Sequence, residues 1–323
     1  GGAGSVADII DGGTGIDTVS YASLTSTLLT GVTLNLGDVK DLKGYVSASG
    51  LGGLDKVKGV ENILGSAYAD VFTGDSTANT LDGGAGNDTL TGGLGADTFV
   101  VSAGTDTITD LGNGADILNV AAGATANATT YAAWTAAAAT NNSGVANIST
   151  DGLTVSLAAV TTGTAGYNIT NTGTATTLTG SALADTLSGG VGNDTVYGGL
   201  GLDMLIGGTG ADLLYGGIDT VKDVFKFNAV SDSTTLATDK IYNFLSGTDK
   251  LDFSGIDANS KVAGDQPFEN TSIGTAAKKY SIWANVSGSD LIISADTNGV
   301  ASTIEFQLQI MGITKLAYAD VVL

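Results

Sequence analysis

Gly189 to Tyr215 reads GGVGNDTVY, GGLGLDMLI, GGTGADLLY, nine residues written three times. Each copy opens on Gly-Gly, has Gly fourth, Asp sixth (Asp194, Asp203, Asp212) and an apolar residue eighth (Val196, Leu205, Leu214). A period of nine fits neither a helix nor a simple amphipathic strand, so the repeat itself is the structural unit. The last three residues of each copy suit a short strand whose central side chain points inward. The first six suit a turn, because glycine adopts positive φ without steric cost.

This nonapeptide resembles the calcium-binding repeat of the RTX family, which implies that two nonads make one flattened coil, with coils stacked at about the strand spacing of ~4.8 Å. Turns eighteen residues apart then lie one above another, which stacks Asp185 on Asp203 and Asp194 on Asp212. Bare carboxylates about 4 Å apart repel by roughly 1–4 kcal/mol at effective dielectrics of about 80 to 20. Calcium is the hard cation that accepts several carboxylate and carbonyl oxygens in flexible geometry, and these turns offer both. The competing reading is a dry solenoid whose Asp residues merely decorate turns. Against it, Asp recurs at one turn position while its neighbours vary.

The same count extends to other parts of the chain. GGTGIDTVS (Gly12 to Ser20) holds Asp17 sixth and Val19 eighth. From near Lys56 the sixth places read Glu61, Asp70, Asn79, Asp88, Asp97 and Asp106, and the eighth Ile63, Phe72, Leu81, Leu90, Phe99 and Ile108. Calcium is expected between Asp70 and Asp88, Asp88 and Asp106, Asp185 and Asp203, and Asp194 and Asp212. A weaker site is expected where Asn79 faces Asp97. The glycine carbonyls expected to complete the sites belong to Gly83, Gly86, Gly92, Gly95, Gly189, Gly192, Gly198, Gly201, Gly207 and Gly210.

Composition narrows the function. The 323 residues carry 12 basic and 33 acidic side chains, a net charge of −21, with no His and no Cys. Nothing here neutralises phosphate, so nucleic acid is excluded as a partner. Without disulfides, calcium is the candidate cross-link. No apolar run is long enough to span a bilayer, so membrane insertion is not expected. The chain opens in mid-repeat, at Gly1-Gly2-Ala3-Gly4, and is expected to be a piece of a longer protein.

The expected fold is all-β: two calcium-binding parallel β-rolls joined by a spacer and capped by a C-terminal β-sandwich. Residues 1–117 are the first roll, with an inserted hairpin or loop at about 20–55, where GVTLNL (Gly31 to Leu36) alternates as a strand does. Residues 118–170, rich in Ala and Thr, are the spacer, and TYAAWTAAAA (Thr130 to Ala139) reads as a short helix. Residues 171–224 are the second roll, although an apolar eighth-place ladder already starts at Val160, Ile169 and Leu178. Residues 225–323 are the sandwich, with strands expected at Lys240 to Phe244, Lys250 to Phe253, Tyr280 to Val286, Asp290 to Ala295 and Glu305 to Met311.

Residues 1–224 resemble the RTX repeat proteins, and 219–323 resemble the C-terminal domain of serralysin-type secreted proteins. The second resemblance rests on DSTTLATDKIYNF (Asp232 to Phe244), GTDKLDFSGIDAN (Gly247 to Asn259), GDQPFE (Gly264 to Glu269) and AYADVVL (Ala317 to Leu323). It implies export through the type I secretion apparatus on an uncleaved C-terminal signal, with folding outside the cell on calcium. DTNGVAS (Asp296 to Ser302) departs from the family's acidic cluster by lacking a later Asp.

No His-Glu-x-x-His helix, Cys nucleophile or G-x-S-x-G elbow is present, so no enzyme activity is expected of these residues. The expected function is the calcium-binding end of an extracellular, secreted cell-surface protein, of S-layer or adhesin type, with self-assembly or a cell-surface polysaccharide as further partners. The alternative is the non-catalytic tail of a secreted hydrolase.

Overall fold

A computed structural model describes residues 8–24, 30–38, 40, 41, 43–50, 54–259, 261, 262, 266, 268, 274–300 and 302–323. The residues form two compact units, Gly1–Ser149 with Ala159–Gly166, and Thr150–Ala158 with Tyr167–Leu323. Among the described residues there is no α-helix, only short strands, most of them paired in parallel, and two 3-10 turns, Val230–Asp232 and Tyr318–Asp320. No helix is long and apolar enough to cross a membrane.

In the first unit, strands of three to seven residues stack in parallel on two faces. Asn62–Leu64, Thr80–Asp82, Thr98–Val101 and Ile117–Val120 form one ladder. Val71–Thr73, Thr89–Thr91, Thr105–Leu111, Thr125–Thr130 and Val145–Thr150 form the other. The middle residue of each strand faces inward: Ile63, Phe72, Leu81, Leu90, Phe99 and Ile108 are all buried. These are the apolar eighth places of the repeat, so the inner stack follows directly from the nine-residue period.

One expectation is corrected here. The Ala/Thr-rich stretch does not form a spacer helix over Thr130 to Ala139; it contributes Thr125–Thr130, Trp134–Thr135, Asn141–Asn142 and Val145–Thr150 as further rungs. Helix propensity is overruled because Ala126, Ala128 and Ala146 are buried in register with neighbouring rungs, where a parallel ladder supplies backbone hydrogen bonds. Trp134 is fully buried and donates its indole N–H to the Asp116 carbonyl at 3.0 Å. The insertion after Ser20 joins the sheet. Thr33–Asn35, Val46–Ser49 and Asp55–Lys58 enter the sheet as an antiparallel set, held in parallel by Ile9–Asp11 on one side and Val71–Thr73 on the other.

In the second unit the pattern is the same. Tyr167–Asn171, Thr186–Val191, Met204–Thr209, Val224–Lys226, Lys250–Asp252 and Val321–Val322 make one set of rungs. Val155–Ser156, Thr177–Thr179, Thr195–Gly199, Leu213–Gly217, Asp239–Tyr242 and Phe306–Ile310 make the other. Only past Phe306–Ile310 does pairing turn antiparallel, through Asp290–Ala295 to Ile282–Ser287. The strands expected in a separate sandwich therefore extend the roll's own ladders, with Phe227, Phe253 and Phe306 packed at 5.3–5.5 Å between ring centroids. Of GDQPFE only Gln266 and Phe268 are described; the rest lies outside the described residues, as does Gly1 to Gly4.

Candidate metal centre

The turns between rungs carry columns of buried carboxylates. In each column the Oδ1 of one Asp accepts the backbone N–H of the residue one coil earlier. Asp88 accepts from Asp70 at 2.8 Å, Asp106 from Asp88 at 3.0 Å, Asp203 from Asp185 at 2.9 Å and Asp212 from Asp194 at 2.8 Å, each eighteen residues apart. Asp97 likewise accepts from Asn79 at 2.8 Å. The vertical pairs expected from the period are thus brought together, and all of these side chains are buried.

The second oxygen distinguishes the turns. Oδ2 of Asp17, Asp88, Asp106, Asp194, Asp203 and Asp212 is buried without a hydrogen-bond partner. An unpartnered buried acceptor costs about 1–3 kcal/mol, more when charged, so a column of them is sustained only with something to bind. Burial, with neighbouring carboxylates adding to it, raises Asp203 from the usual 3.8 to about 8, beside Asp185, Asp223 and Asp219, and Asp88 to about 7, beside Asp106 and Asp70. Asp212 rises to about 7, and Asp97, Asp106 and Asp194 to about 6, with burial first in each case.

The repeat's glycines build this cradle in two ways. At the first place the requirement is space: a Cβ on Gly207 would lie 2.4 Å from Asp212 Oδ2, and one on Gly83 2.2 Å from Asp88 Oδ2. Gly92, Gly189 and Gly198 stand in the same relation to Asp97, Asp194 and Asp203. At the fourth place it is conformation, since Gly86, Gly95, Gly192, Gly201 and Gly210 have φ between +111° and +145°.

Among the described residues no three acidic, His or Cys side chains converge on one point. A cation here would take its remaining ligands from backbone carbonyls, an all-oxygen donor set that fits a hard ion of flexible coordination such as calcium.

The columns also run beyond the nonads. Asp116 accepts from Asp97 N–H, Asp223 from Asp203, Asp239 from Asp212 and Asp249 from Asp223, at separations of 19, 20, 27 and 26 residues. Counting by nines misses them because their turns are longer. The surviving signal is Asp followed two residues later by an inward apolar side chain: Leu118, Phe225, Ile241 and Leu251. Asp239 Oδ2 is also unpartnered, and burial beside Asp212 raises that group to about 9. Asp70, Asp185 and Asn79 differ: Oδ2 of the two aspartates and Oδ1 of the asparagine accept from donors of their own turn.

The fold and these turns define a calcium-binding repeat roll. The RTX calcium-binding nonapeptide repeat model matches residues 58–90 and 73–108, and these repeats bind Ca2+. The Peptidase M10 serralysin C terminal model matches residues 161–323, half of the chain, and the chain belongs to that family. No curated protein matches it significantly. Among solved structures, a subunit of the mannuronan C5-epimerase from Azotobacter vinelandii is similar at 24% identity and a TM-score of 0.34, covering 46% of this chain and 78% of that one.

Proposed function

We propose that this chain is the calcium-folded C-terminal region of a type I-secreted bacterial surface protein, S-layer or adhesin-like and without catalytic activity of its own. Calcium is held at the unpartnered Oδ2 atoms of Asp88, Asp106, Asp194, Asp203 and Asp212 and by carbonyls of the adjoining glycine turns. The observation that carries the reading is those unpartnered, buried carboxylate oxygens repeated along columns. In the low-calcium cytosol the carboxylates oppose folding, which keeps the chain threadable and its C-terminal end accessible to the exporter. Outside, millimolar calcium supplies the missing contacts, since extracellular calcium modules bind at about 10⁻⁴–10⁻³ M. With −21 net charge, copies associate only where cations screen or bridge them. Self-assembly through calcium, or binding of a cell-surface polysaccharide, follows from that placement.

The peptidase named in the matched family model favours a second reading, in which the same region is the tail of an extracellular hydrolase. The coding sequence ahead of Gly1 separates the two: further repeats and Thr/Ala-rich strands support the surface protein, a zinc or serine hydrolase motif the tail. Export is tested by deleting residues 225–323 in a strain with an intact type I exporter. Loss of extracellular product is expected; normal secretion of the truncated chain would refute the assignment.

A further inference from the structure

Four turns lie directly before a Gly-Gly turn of the same column and share a different chemistry. Gly65–Asp70 and Gly180–Asp185 read GSAYAD and GSALAD, and precede the turns of Asp88 and Asp203 by one coil. In both, Ser stands in the second place and a bulky residue in the fourth, and neither turn has a residue at positive φ. The serine backbone N–H donates to Oδ2 of the aspartate four residues on, at 2.6 Å in each turn. Its hydroxyl donates to the same Oδ2, at 3.1 Å for Ser66 and 2.8 Å for Ser181, and accepts the N–H of Tyr68 or Leu183 at 3.1 and 3.0 Å. Oδ1 takes the N–H of Val32 at 2.5 Å in one turn and of Tyr167 at 2.6 Å in the other. Both oxygens of Asp70 and Asp185 are therefore met by protein donors, whereas Asp88 and Asp203 each keep an unpartnered Oδ2.

The other two columns use asparagine. Asn171 precedes the Gly189–Asp194 turn by one coil; its amide nitrogen donates to the carbonyls of Thr174 and Gly189, both at 2.7 Å. Its Oδ1 receives the N–H of Gly152 at 2.7 Å and of Gly173 at 3.0 Å, so the amide orientation is fixed by donors on one side and acceptors on the other. Asn79, before the Asp97 turn, donates to the Glu61 carbonyl at 3.0 Å and accepts from Asp75 N–H at 2.8 Å. An amide N–H pointed at turn carbonyls supplies the partial positive charge that a cation would bring there.

We propose that these four turns are metal-independent seats. Ser66, Asn79, Asn171 and Ser181 supply by hydrogen bonds what calcium supplies in the Gly-Gly turns, and each calcium-loaded column stacks on a turn that closes without metal. The inference rests on the calcium reading above and assigns which turns take the ion. It narrows the expected sites, since Asp70 and Asp185 become anchors for the next rung and not ligands.

The test uses the full chain. Calcium stoichiometry is measured by equilibrium dialysis for the wild type and for the double variants Ser181→Gly with Leu183→Gly, and Ser66→Gly with Tyr68→Gly, which convert the seats to Gly-Gly turns. Each variant is expected to bind an additional ion and to unfold more readily in chelator; unchanged stoichiometry would overturn the proposal. Because a variant can fail to fold, wild-type crystals grown in calcium are examined by anomalous scattering. Ions beside Asp88, Asp194, Asp203 and Asp212 with none at Asp70 or Asp185 are expected. An ion at either seat overturns this inference alone, whereas a wild type that binds no calcium overturns the calcium reading with it.

Discussion

Asp203 accepts the backbone N–H of Asp185 through Oδ1 at 2.9 Å while its Oδ2, equally buried, has no partner. One carboxylate thus performs two tasks: it joins successive coils, and it leaves a charged oxygen open to a cation. Asp203→Asn separates them. The amide keeps the acceptor at the Oδ1 place but removes the charge and replaces the open oxygen by a donor. In chelator the variant is expected to be more stable than the wild type, by about 1–3 kcal/mol for one buried unsatisfied acceptor. In millimolar calcium the order reverses. Thermal melts under both conditions decide; a variant destabilised in both would show that the carboxylate is purely structural.

Acidity should act in the opposite direction to that of ordinary salt-bridged carboxylates. Burial raises Asp88 and Asp212 to about 7, Asp203 to about 8 and Asp239 to about 9 in the folded chain, above the usual 3.8. Below those values the folded state binds more protons than the unfolded one, so lowering the pH stabilises it until the unfolded carboxylates also protonate. The metal-free chain is therefore expected to melt higher at pH 5 than at pH 8. Calcium affinity should fall over the same interval, because proton and metal compete for one oxygen. A metal-free melting temperature that rises with pH would contradict the burial of unpaired charge.

Glycine substitutions should divide by the reason for the glycine. A Cβ on Gly207 meets Asp212 Oδ2 at 2.4 Å, whereas one on Gly123, at φ +83°, meets nothing within 4 Å. Gly123→Ala is expected to cost about 1–2 kcal/mol, the conformational penalty alone. Gly207→Ala, not at positive φ, instead introduces a steric clash inside the cradle and should also weaken calcium binding. Equal effects on stability and on calcium affinity in paired titrations would argue against the close approach.

Inside the roll, Leu205 is fully buried and registers between Leu187 and Phe225. Leu205→Ala is expected to cost about 2–5 kcal/mol, by lost transfer energy plus cavity. Because the Asp203 turn feeds this rung, calcium affinity should fall as well. Denaturant unfolding in saturating calcium gives the first quantity. A loss under about 1 kcal/mol would indicate a loosely packed interior.

The nine-residue count made the inner stack legible wherever turns kept six residues, as from Ile63 to Ile108 and from Ile169 to Leu214. It failed where a turn grew. Phe99 pairs with Leu118 and Ile108 with Ala128, so one inserted residue, then two, erased the period and left the alanine-rich stretch looking helical. The C-terminal strands were visible, but their parallel pairing onto the roll was not, because Leu214 meets Ile241 across a long insertion. At the site, the stacking of Asp194 on Asp212 was readable from spacing. Which oxygens stay open was not, since that depends on where the hydroxyls of Ser66 and Ser181 and the amide of Asn171 point.

The central claim is that calcium, held at the open carboxylate oxygens, folds the chain. Far-ultraviolet circular dichroism of the full chain at pH 7.5, first in excess chelator and then through a calcium titration, tests it most directly. The account predicts that in excess chelator the β signal is much reduced and melts at a far lower temperature, and that both recover cooperatively at about 10⁻⁴–10⁻³ M free calcium. The same β signal and melting temperature in excess chelator as in saturating calcium would contradict it.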